Sequence, residues 1–464
     1  MGRHIEKNDI YQGRVIDLNS EGQGVVKLEG VFPVFIPGAL VGEEVSFKIG
    51  KAKKSYAFGI LLEVLEASPH RVSPRDDLGR QTGTMTLQHM DYPSQLAFKK
   101  KQVQEALSRI GGFNQPPVEA TLGMEDPWAY RNKAQIPVRE VKGRLETGFY
   151  RKRTHDLVPV ENFHIQYPTI DQAILKVRDL LRDYGLSAYD EETGQGLIRH
   201  IIVRQGHYSR DMMVILVVNG TQLPREEALV QNLVQTLPDL VSLVLNVNQK
   251  KTNVILGPDS RILWGKPYYQ DQMLGLKLRI SPQSFYQVNT PQAEKLYQAG
   301  IQAAGLTGQE RVLDAYCGIG SISLALAQKA KEVYAMEVVP QAVDMARENA
   351  RINGIENAHF QAGKAEKILP QWQKQGLSFD VAFVDPPRKG LDPRFIESLV
   401  QLAPKKIVYI SCNPSTLARD CKIISQAGYS LDYVQPVDLF PQTNHVETVA
   451  LLSKLDVDKH ISVE

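Results

Sequence analysis

The chain has 464 residues, too many for one ordinary hydrophobic core and enough for about three domains. Its 43% hydrophobic content is that of a soluble protein, no stretch is apolar enough to cross a bilayer, and the first residues lack the apolar run of a signal peptide, so we expect a cytoplasmic protein. The net charge of +2 alone does not indicate whether the protein binds nucleic acid. The three cysteines, Cys317, Cys412 and Cys421, are too few for a disulfide framework, and their spacing fits no zinc site.

Residues 9–65 are predicted to form a small β-barrel. Short β-branched runs alternate with glycine turns, and five strands at this spacing suggest closure into a barrel. The Gly-Gln-Gly-Val-Val sequence at 22–26 and the Pro-Gly-Ala-Leu-Val-Gly-Glu sequence at 37–43 resemble those of a TRAM domain, an OB-like RNA-binding barrel. Another small barrel would give a similar pattern. We take residues 1–66 as a TRAM-like domain.

Basic residues cluster in the N-terminal half of the chain. Each cluster alone is explained by a solvated face, but several together indicate an anionic partner. The clusters are Lys48, Lys51, Lys53 and Lys54, then Lys99, Lys100 and Lys101, then Arg151, Lys152 and Arg153.

The rest of the chain divides into two further regions. Residues 67–92 read as a connecting segment, a helix is predicted for 95–110, and strands alternate with helices from 120 to 284 in a pattern typical of a mixed α+β domain. From 285 onward the alternation indicates an open, doubly wound α/β sheet. We assign 67–94 with 124–284 to a central α+β RNA-binding domain, and 95–123 with 285–464 to a Rossmann-like catalytic domain.

A cofactor site is predicted where two strands of this sheet end. The sequence Asp-Ala-Tyr-Cys-Gly-Ile-Gly at 314–320 follows one strand, and its glycines permit a sharp turn. The third glycine of a dinucleotide fingerprint is missing, which counts against NAD. Glu337 ends the next strand, where a carboxylate can accept hydrogen bonds from both hydroxyls of a ribose. The pattern therefore favours S-adenosylmethionine. A stiff Asp-Pro-Pro-Arg-Lys-Gly loop follows a third strand at 385–390.

A candidate nucleophile ends a fourth strand. The apolar run at 407–410 leads to Ser411 and Cys412, and Pro414 opens a predicted helix. A thiol beside a helix N-terminus is expected to favour the thiolate, which is the nucleophilic form. Cys317 and Cys421 are interpreted as packing residues, since buried free cysteine is common.

Several motifs in order carry a family resemblance. The sequences at 313–320, 385–390, 409–414 and 438–447, together with Tyr-Arg-Asn-Lys at 130–133 and Phe-Tyr-Gln-Val-Asn at 285–289, resemble the RNA (uracil-5-)-methyltransferase family that uses S-adenosylmethionine, most closely its 23S ribosomal RNA branch. The resemblance covers nearly the whole chain. It implies a fold in which a methyltransferase domain carries the TRAM-like barrel and the central domain, and an RNA partner, free or partly assembled 23S rRNA, bound by a monomer with no membrane association.

The resemblance also implies residue roles. Cys412 is the nucleophile that attacks uracil C6, and Glu447 is the base that removes the C5 proton. The cofactor contacts are Gln287, Tyr316, Gly318, Ser321, Glu337, Glu366 and Asp385. The RNA contacts are Arg131, Lys133, Phe285, Arg388 and His445. Phe285 could instead belong to the core, which we slightly favour, and His445 could be a proton shuttle or a packing residue.

One feature of many ribosomal members is missing from this sequence. Their iron–sulfur cluster is held by four cysteines, whereas the corresponding positions here are Asp76, Thr82, Met85 and one near Phe163. We therefore expect no cluster and no metal, with packing by Met85 and Phe163 in its place.

Three other functions are compatible with parts of this pattern. A transfer RNA uracil-5-methyltransferase shares the motifs but commonly lacks the barrel. An exocyclic-amine methyltransferase uses a proline-rich loop but needs no nucleophilic cysteine. An RNA-binding assembly factor with a relic cofactor pocket would bind RNA without turnover, although the intact set of acids and Cys412 argues against decay.

Overall fold

The computed structural model describes residues 6–28 and 32–455. Val31, the predicted first residue of the third strand, and the initial residues 1–5 lie outside these ranges. Within them, no helix combines the length and the apolar character needed to span a membrane.

The N-terminal region is a closed barrel, as predicted. Its strands are ordered β1-β2-β3-β5-β4 around the barrel. Alternate side chains point inward, so that Val26, Val34 and Phe47 are buried in its core. The strands are β1 (Ile10–Leu18), β2 (Gly24–Lys27), β3 (Pro33–Ile36), β4 (Glu44–Ala52) and β5 (Ala57–Glu66).

Two helices follow the barrel, the short α1 (Leu78–Thr82) and the long α2 (Tyr92–Arg109). Helix α2 begins where Asp91 accepts a hydrogen bond from the Ser94 amide, and a proline occupies its first turn. Its apolar face belongs to the C-terminal half of the molecule, because Val103 and Leu107 are buried in a cluster formed mainly by that half.

The central region is a seven-stranded sheet with the order β12-β11-β10-β9-β6-β7-β8, followed by a two-stranded hairpin. All its neighbouring strands are antiparallel except β10 and β11. The mixed antiparallel character is as expected. The elements are β6 (Lys133–Val141), β7 (Arg144–Tyr150), β8 (Leu157–Pro159), α3 (Pro168–Asp183), β9 (Ile198–Gln205), β10 (Met212–Val218), α4 (Glu226–Thr236), β11 (Leu240–Val247), β12 (Asp259–Gly265), and the hairpin β13 (Tyr269–Met273) and β14 (Leu276–Ile280).

The C-terminal region is the predicted doubly wound sheet. Its order is β17-β16-β15-β18-β19-β21-β20, with five parallel strands and β21 antiparallel to both of its neighbours. The elements are α5 (Thr290–Ala304), β15 (Arg311–Ala315), α6 (Ser321–Ala327), β16 (Glu332–Glu337), α7 (Pro340–Ile352), β17 (Ala358–Ala362), α8 (Ala365–Lys374), β18 (Val381–Val384), α9 (Pro393–Leu402), β19 (Lys406–Ser411), α10 (Pro414–Gln426), β20 (Tyr429–Val437) and β21 (Glu447–Lys454).

This topology fixes where a ligand can bind. The strand order reverses at β15, which has β16 on one side and β18 on the other. Ligands of open α/β sheets bind beyond the carboxyl ends of the strands at such a reversal. Because β21 runs opposite to β19, its first residue, Glu447, lies at this same edge.

Candidate active site

The turn after β15 is shaped by residues with positive φ. Tyr316 has φ 69°, an unusual value for a residue with a side chain, and Gly318 has φ 54°. A side chain at Gly318 would meet no atom within 4 Å, so open space lies in front of this backbone. The Gly318 amide donates to Glu337 Oε2 at 3.1 Å, and the Val339 amide donates to Oε1 at 3.0 Å. Glu337 is therefore held in a fixed orientation at the end of β16.

Two further carboxyl groups stand at this edge. Burial raises the pKa of Asp314 to about 7, and the neighbouring Asp385 and Glu337 add to the shift; Asp314 also accepts a hydrogen bond from Ser323. Burial likewise raises the pKa of Asp385 to about 7. Asp385 accepts no hydrogen bond from any residue in the described ranges. A partly buried acid without a donor fits a ligand that brings its own donors or positive charge.

The remaining predicted cofactor residues are held by several different elements. Tyr316 packs edge-on against Phe395, with ring centroids 5.8 Å apart, and the charges of Glu366 and Glu337 act on its hydroxyl. Ser321 is the first residue of α6. Gln287 is buried, and its backbone oxygen accepts a hydrogen bond from Asn132 Nδ2 at 2.8 Å. The glycine turn leaves room for a ligand, the oriented carboxylate can accept hydrogen bonds from it, and the ring offers an apolar surface. Together these features suit a nucleoside cofactor with a positive charge.

The strand register brings Cys412 and Glu447 together. Ser411, the last residue of β19, pairs with Thr448 of β21. Cys412, which follows β19, therefore comes to lie opposite Glu447, the first residue of β21. The charge of Glu447 acts directly on the Cys412 thiol. Glu447 is only 6% exposed and has no hydrogen-bond partner among the described residues.

The expectation of a thiolate at Cys412 is wrong for the protein without ligands. Burial, Glu447 and Asp385 raise the pKa of the Cys412 thiol to about 11, and Arg388 opposes this rise only in part. Burial and Asp385 also raise the pKa of Glu447 to about 8, again opposed by Arg388. Burial, together with the neighbouring carboxyl groups, outweighs the helix N-terminus, so the pKa of the thiol and the pKa of Glu447 both lie above their ordinary values.

The loop of residues 438–446, which precedes Glu447, is anchored by helix α2. The Lys99 ammonium donates to Asp438 Oδ1 at 2.5 Å and to the Phe440 carbonyl at 3.0 Å, and the Tyr92 hydroxyl donates to Asp438 Oδ2 at 2.9 Å. Gln95 Nε2 donates to Gln442 Oε1 at 2.9 Å. The interpretation of Lys99 as part of a basic surface for an anionic partner is therefore wrong, because its side chain is fully buried in an ion pair.

The Tyr-Arg-Asn-Lys sequence at 130–133 connects the central sheet to the site. The Tyr130 hydroxyl donates to the Pro441 carbonyl at 3.0 Å, and the Asn132 amide donates to the Val288 carbonyl at 2.8 Å. Lys133 has no acidic partner among the described residues, and burial together with Arg204 and Arg131 lowers its pKa to about 7.

Two of the other predicted RNA residues, Arg388 and His445, line one cleft with Cys412. Arg388 is exposed, and its backbone oxygen accepts a hydrogen bond from Asn413 Nδ2 at 3.1 Å. Burial, Arg388, Lys99 and Arg131 lower the pKa of His445 to about 4, so it is neutral at neutral pH. The preference for a core position of Phe285 is wrong, because this ring is 70% exposed.

Comparisons with known proteins match this arrangement over nearly the whole chain. Residues 260–455 match the family model of tRNA (Uracil-5-)-methyltransferase, and residues 14–62 match the TRAM domain. A protein of Lactiplantibacillus plantarum named as an uncharacterized RNA methyltransferase is 50% identical over 97% of this chain and 98% of its own. A similarly named protein of Enterococcus faecalis is 47% identical with the same coverage.

This chain belongs to the TRAM-containing RNA uracil-5-methyltransferase family. Among solved structures, the tRNA (uracil-54, C5)-methyltransferase of Pyrococcus abyssi, in complex with S-adenosyl-L-homocysteine, matches with a TM-score of 0.76 and 28% identity. The match covers 95% of this chain and 100% of that one. The predicted family and fold class, an S-adenosylmethionine-dependent methyltransferase domain with an OB-like barrel, are confirmed.

The positions that would hold a cluster in this methyltransferase carry other side chains. Met85 and Phe163 are buried in one apolar cluster with Leu78, Tyr130 and Ile165, and the Phe163 ring lies 4.4 Å from that of Phe149. Asp76 pairs with His164 at 3.4 Å instead. No group of three or more potential metal ligands occurs in residues 6–28 and 32–455.

Proposed function

We propose that this methyltransferase transfers a methyl group to C5 of uridine in 23S ribosomal RNA through a covalent adduct between Cys412 and uracil C6. The observation that carries the proposal is the β19–β21 register, which sets a buried carboxyl group with no protein partner beside a thiol. An exocyclic-amine methyltransferase would need neither this thiol nor a base next to it.

The first step is addition of the Cys412 thiolate to uracil C6. Uracil C5 is a poor nucleophile, and formation of the S–C6 bond moves electron density to C5 and O4, giving an enolate that reacts at C5. Because burial and the neighbouring Glu447 and Asp385 hold the thiol pKa at about 11, positive charge that enters the site stabilises the thiolate, and the thiol proton passes to water. Arg388, which already lowers this pKa, supplies part of that charge.

S-Adenosylmethionine, when bound, supplies the methyl group as an electrophile on a positively charged sulfur. In our proposal Glu337 holds its ribose hydroxyls, Tyr316 and Gly318 line its binding space, and Asp385 lies beside its charged portion, with Gln287, Ser321 and Glu366 around it. The support is the fixed Glu337 carboxylate, the open space at Gly318 and the unpartnered Asp385.

The last step is removal of the C5 proton by Glu447. The C5–H electron pair restores the C5–C6 double bond, the C6–S bond breaks, and its electron pair returns to the Cys412 sulfur. Glu447 acts here in its ionised form, which positive charge entering the site favours, and its raised pKa of about 8 makes that carboxylate a stronger base than an ordinary one. His445 is neutral and lines the same cleft as Cys412 and Arg388, so it can accept a hydrogen bond from the RNA or donate one to it.

Phe285, Arg131 and Lys133 are proposed to hold RNA. An exposed ring can stack on an unpaired base, and cations without acidic partners can bind phosphate. The target uridine must leave its stack to reach Cys412, which costs least in an unpaired loop.

Transfer RNA is the second candidate substrate. The matched Pyrococcus abyssi structure is of a tRNA methyltransferase. Because the match covers 95% of this chain, the unmatched residues are fewer than those of the barrel, so the match includes at least part of the barrel. The barrel therefore does not by itself argue against tRNA. The preference for 23S rRNA rests on the motif resemblance.

The test is mass-spectrometric mapping of 5-methyluridine in ribosomal and transfer RNA from cells carrying wild-type protein, Cys412→Ala or Cys421→Ala. Cys421 is a matched control because it is a cysteine of helix α10 whose side chain is buried in the hydrophobic core. Loss of the mark at 23S positions with Cys412→Ala alone would support the proposal, and loss only in tRNA would support the second candidate. Persistence of every mark, also in a strain without the gene, would refute both.

A further inference from the structure

A row of outward side chains crosses the barrel from its catalytic side to its lysine-rich turn. The register pairs Val25 of β2 with Phe35 of β3, Phe35 with Phe58 of β5, and Phe58 with Lys51 of β4. The sequence neighbours of Val25, Phe35 and Phe58 are buried, so these three side chains point outward, and Lys51 at the end of the row is exposed. Three strand spacings of about 4.8 Å give the row a length of about 14 Å.

Three aromatic rings lie together on this row. The rings of Phe35 and Phe58 are 6.1 Å apart, and Tyr56 lies 5.8 Å from Phe35 and 5.6 Å from Phe58. All three side chains are partly exposed. The barrel core is already filled by other residues, such as Val34 and Phe47, so packing inside the barrel does not explain three rings on its outer face.

The row is continuous with the candidate active site. A cleft of about 590 Å³ separates the barrel from the catalytic region, and it is lined by Val25 and Phe35 on the barrel side and by Cys412 and Arg388 on the other. A chain segment that leaves the neighbourhood of Cys412 through this cleft arrives at the aromatic rings.

The charges along this path suit a polyanion. Beyond the rings lie three exposed lysines, Lys51 near the end of β4 and Lys53 and Lys54 in the turn between β4 and β5. Within the cleft, Asp17 is neutralised by Lys101 at 2.5 Å, and Glu105 lies within 4 Å of both Lys101 and Arg109. Glu21 is the exposed acid that remains in the lining.

We propose that the aromatic row is a base-stacking site for two or three unpaired nucleotides that flank the target uridine. Aromatic side chains on an open sheet face beside a positive groove are the physical basis of single-stranded nucleic-acid binding, because every base has a face that can stack. The inference rests on the proposed RNA substrate and adds to it the requirement that the target lies near a single-stranded segment.

The test is fluorescence anisotropy with the full chain and a labelled oligouridylate of about twelve nucleotides, the length that one such barrel can contact. The double variant Phe35→Ala/Phe58→Ala is expected to bind more weakly, with a Kd about tenfold higher or more. Phe35→Trp/Phe58→Trp is expected to retain binding, because both rings remain. Ile10→Ala is the matched control, since Ile10 is an exposed apolar residue of the same barrel outside the cleft.

Three outcomes would overturn the inference: no measurable binding of the oligouridylate by the wild type, an unchanged Kd for the double alanine variant, or an equal loss for a blunt RNA duplex whose bases cannot stack on the protein. The oligouridylate binding is measured without cofactor, so absence of 5-methyluridine formation in cells would refute the proposed function without changing this binding result.

Discussion

Replacement of Glu447 by glutamine is expected to make the protein more stable while it abolishes turnover. Glu447 is almost fully buried without a donor, and folding raises its pKa from 4.5 to about 8. An acid whose pKa rises on folding holds its proton more tightly in the folded state, so its contribution is most favourable below pH 4.5 and is lost as the pH rises toward 8. Glutamine stays neutral throughout and avoids this loss.

The shift sets the size of the effect. At pH 7 the unfolded chain has released this proton and the folded chain has kept it, which costs about 3 kcal/mol of unfolding free energy. At pH 5 the cost is below about 1 kcal/mol by the same relation. The advantage of Glu447→Gln over the wild type should therefore grow by about 2–3 kcal/mol between these two pH values.

Urea denaturation at pH 5 and pH 7 measures this difference, with Glu397→Gln as the control because Glu397 is exposed on helix α9. A stability difference that is the same at both pH values would refute the assignment of a buried, uncompensated carboxyl group. The variant should also accumulate a covalent protein–RNA complex, since the C5 proton stays in place. That complex is read as an RNase-sensitive band on a denaturing gel.

Three further results are expected. Lys99→Met should cost about 3–5 kcal/mol in urea denaturation, because Asp438 would be left charged and buried, whereas Lys100→Met should cost little. Phe285→Ala should reduce methylation while changing stability by less than about 0.5 kcal/mol, because the ring is exposed; an equal loss of stability would contradict an RNA-facing role. Iron and sulfide analysis of the native protein should find neither element, and stoichiometric iron would contradict the packing by Met85 and Phe163.

The sequence was sufficient to predict the sheet and the residues at its edge. Strand-end motifs are local, and the topology of a doubly wound sheet brings all strand ends together without further information. Asp385 and Cys412 could therefore be placed at one edge before any contact was known. The proximity of Glu447 came from family resemblance, because the antiparallel register of β21 leaves no local signal.

What could not be predicted depends on contacts between distant segments. The run of lysines at 99–101 has one composition, yet Lys99 is buried against Asp438, and Lys101 pairs with Asp17 of the barrel. Phe285 is exposed although aromatic residues usually pack inside. The thiol pKa of Cys412 was misjudged because the helix terminus is visible in the sequence, whereas the burial of the thiol and the approach of Glu447 and Asp385 depend on the fold.

The anchoring of the 438–446 loop by helix α2 has a consequence for translation. Lys99 and Tyr92 are synthesised more than 300 residues before Asp438, to which they bind. They therefore lack this partner during most of the synthesis of the chain. A fragment consisting only of residues 260–455, the part matched by the methyltransferase family model, would contain Cys412 and Glu447 but lack this support. Cys412 and Glu447 thus come into register only after β21 has been made, so that a growing chain that has not reached β21 lacks the proposed nucleophile–base pair.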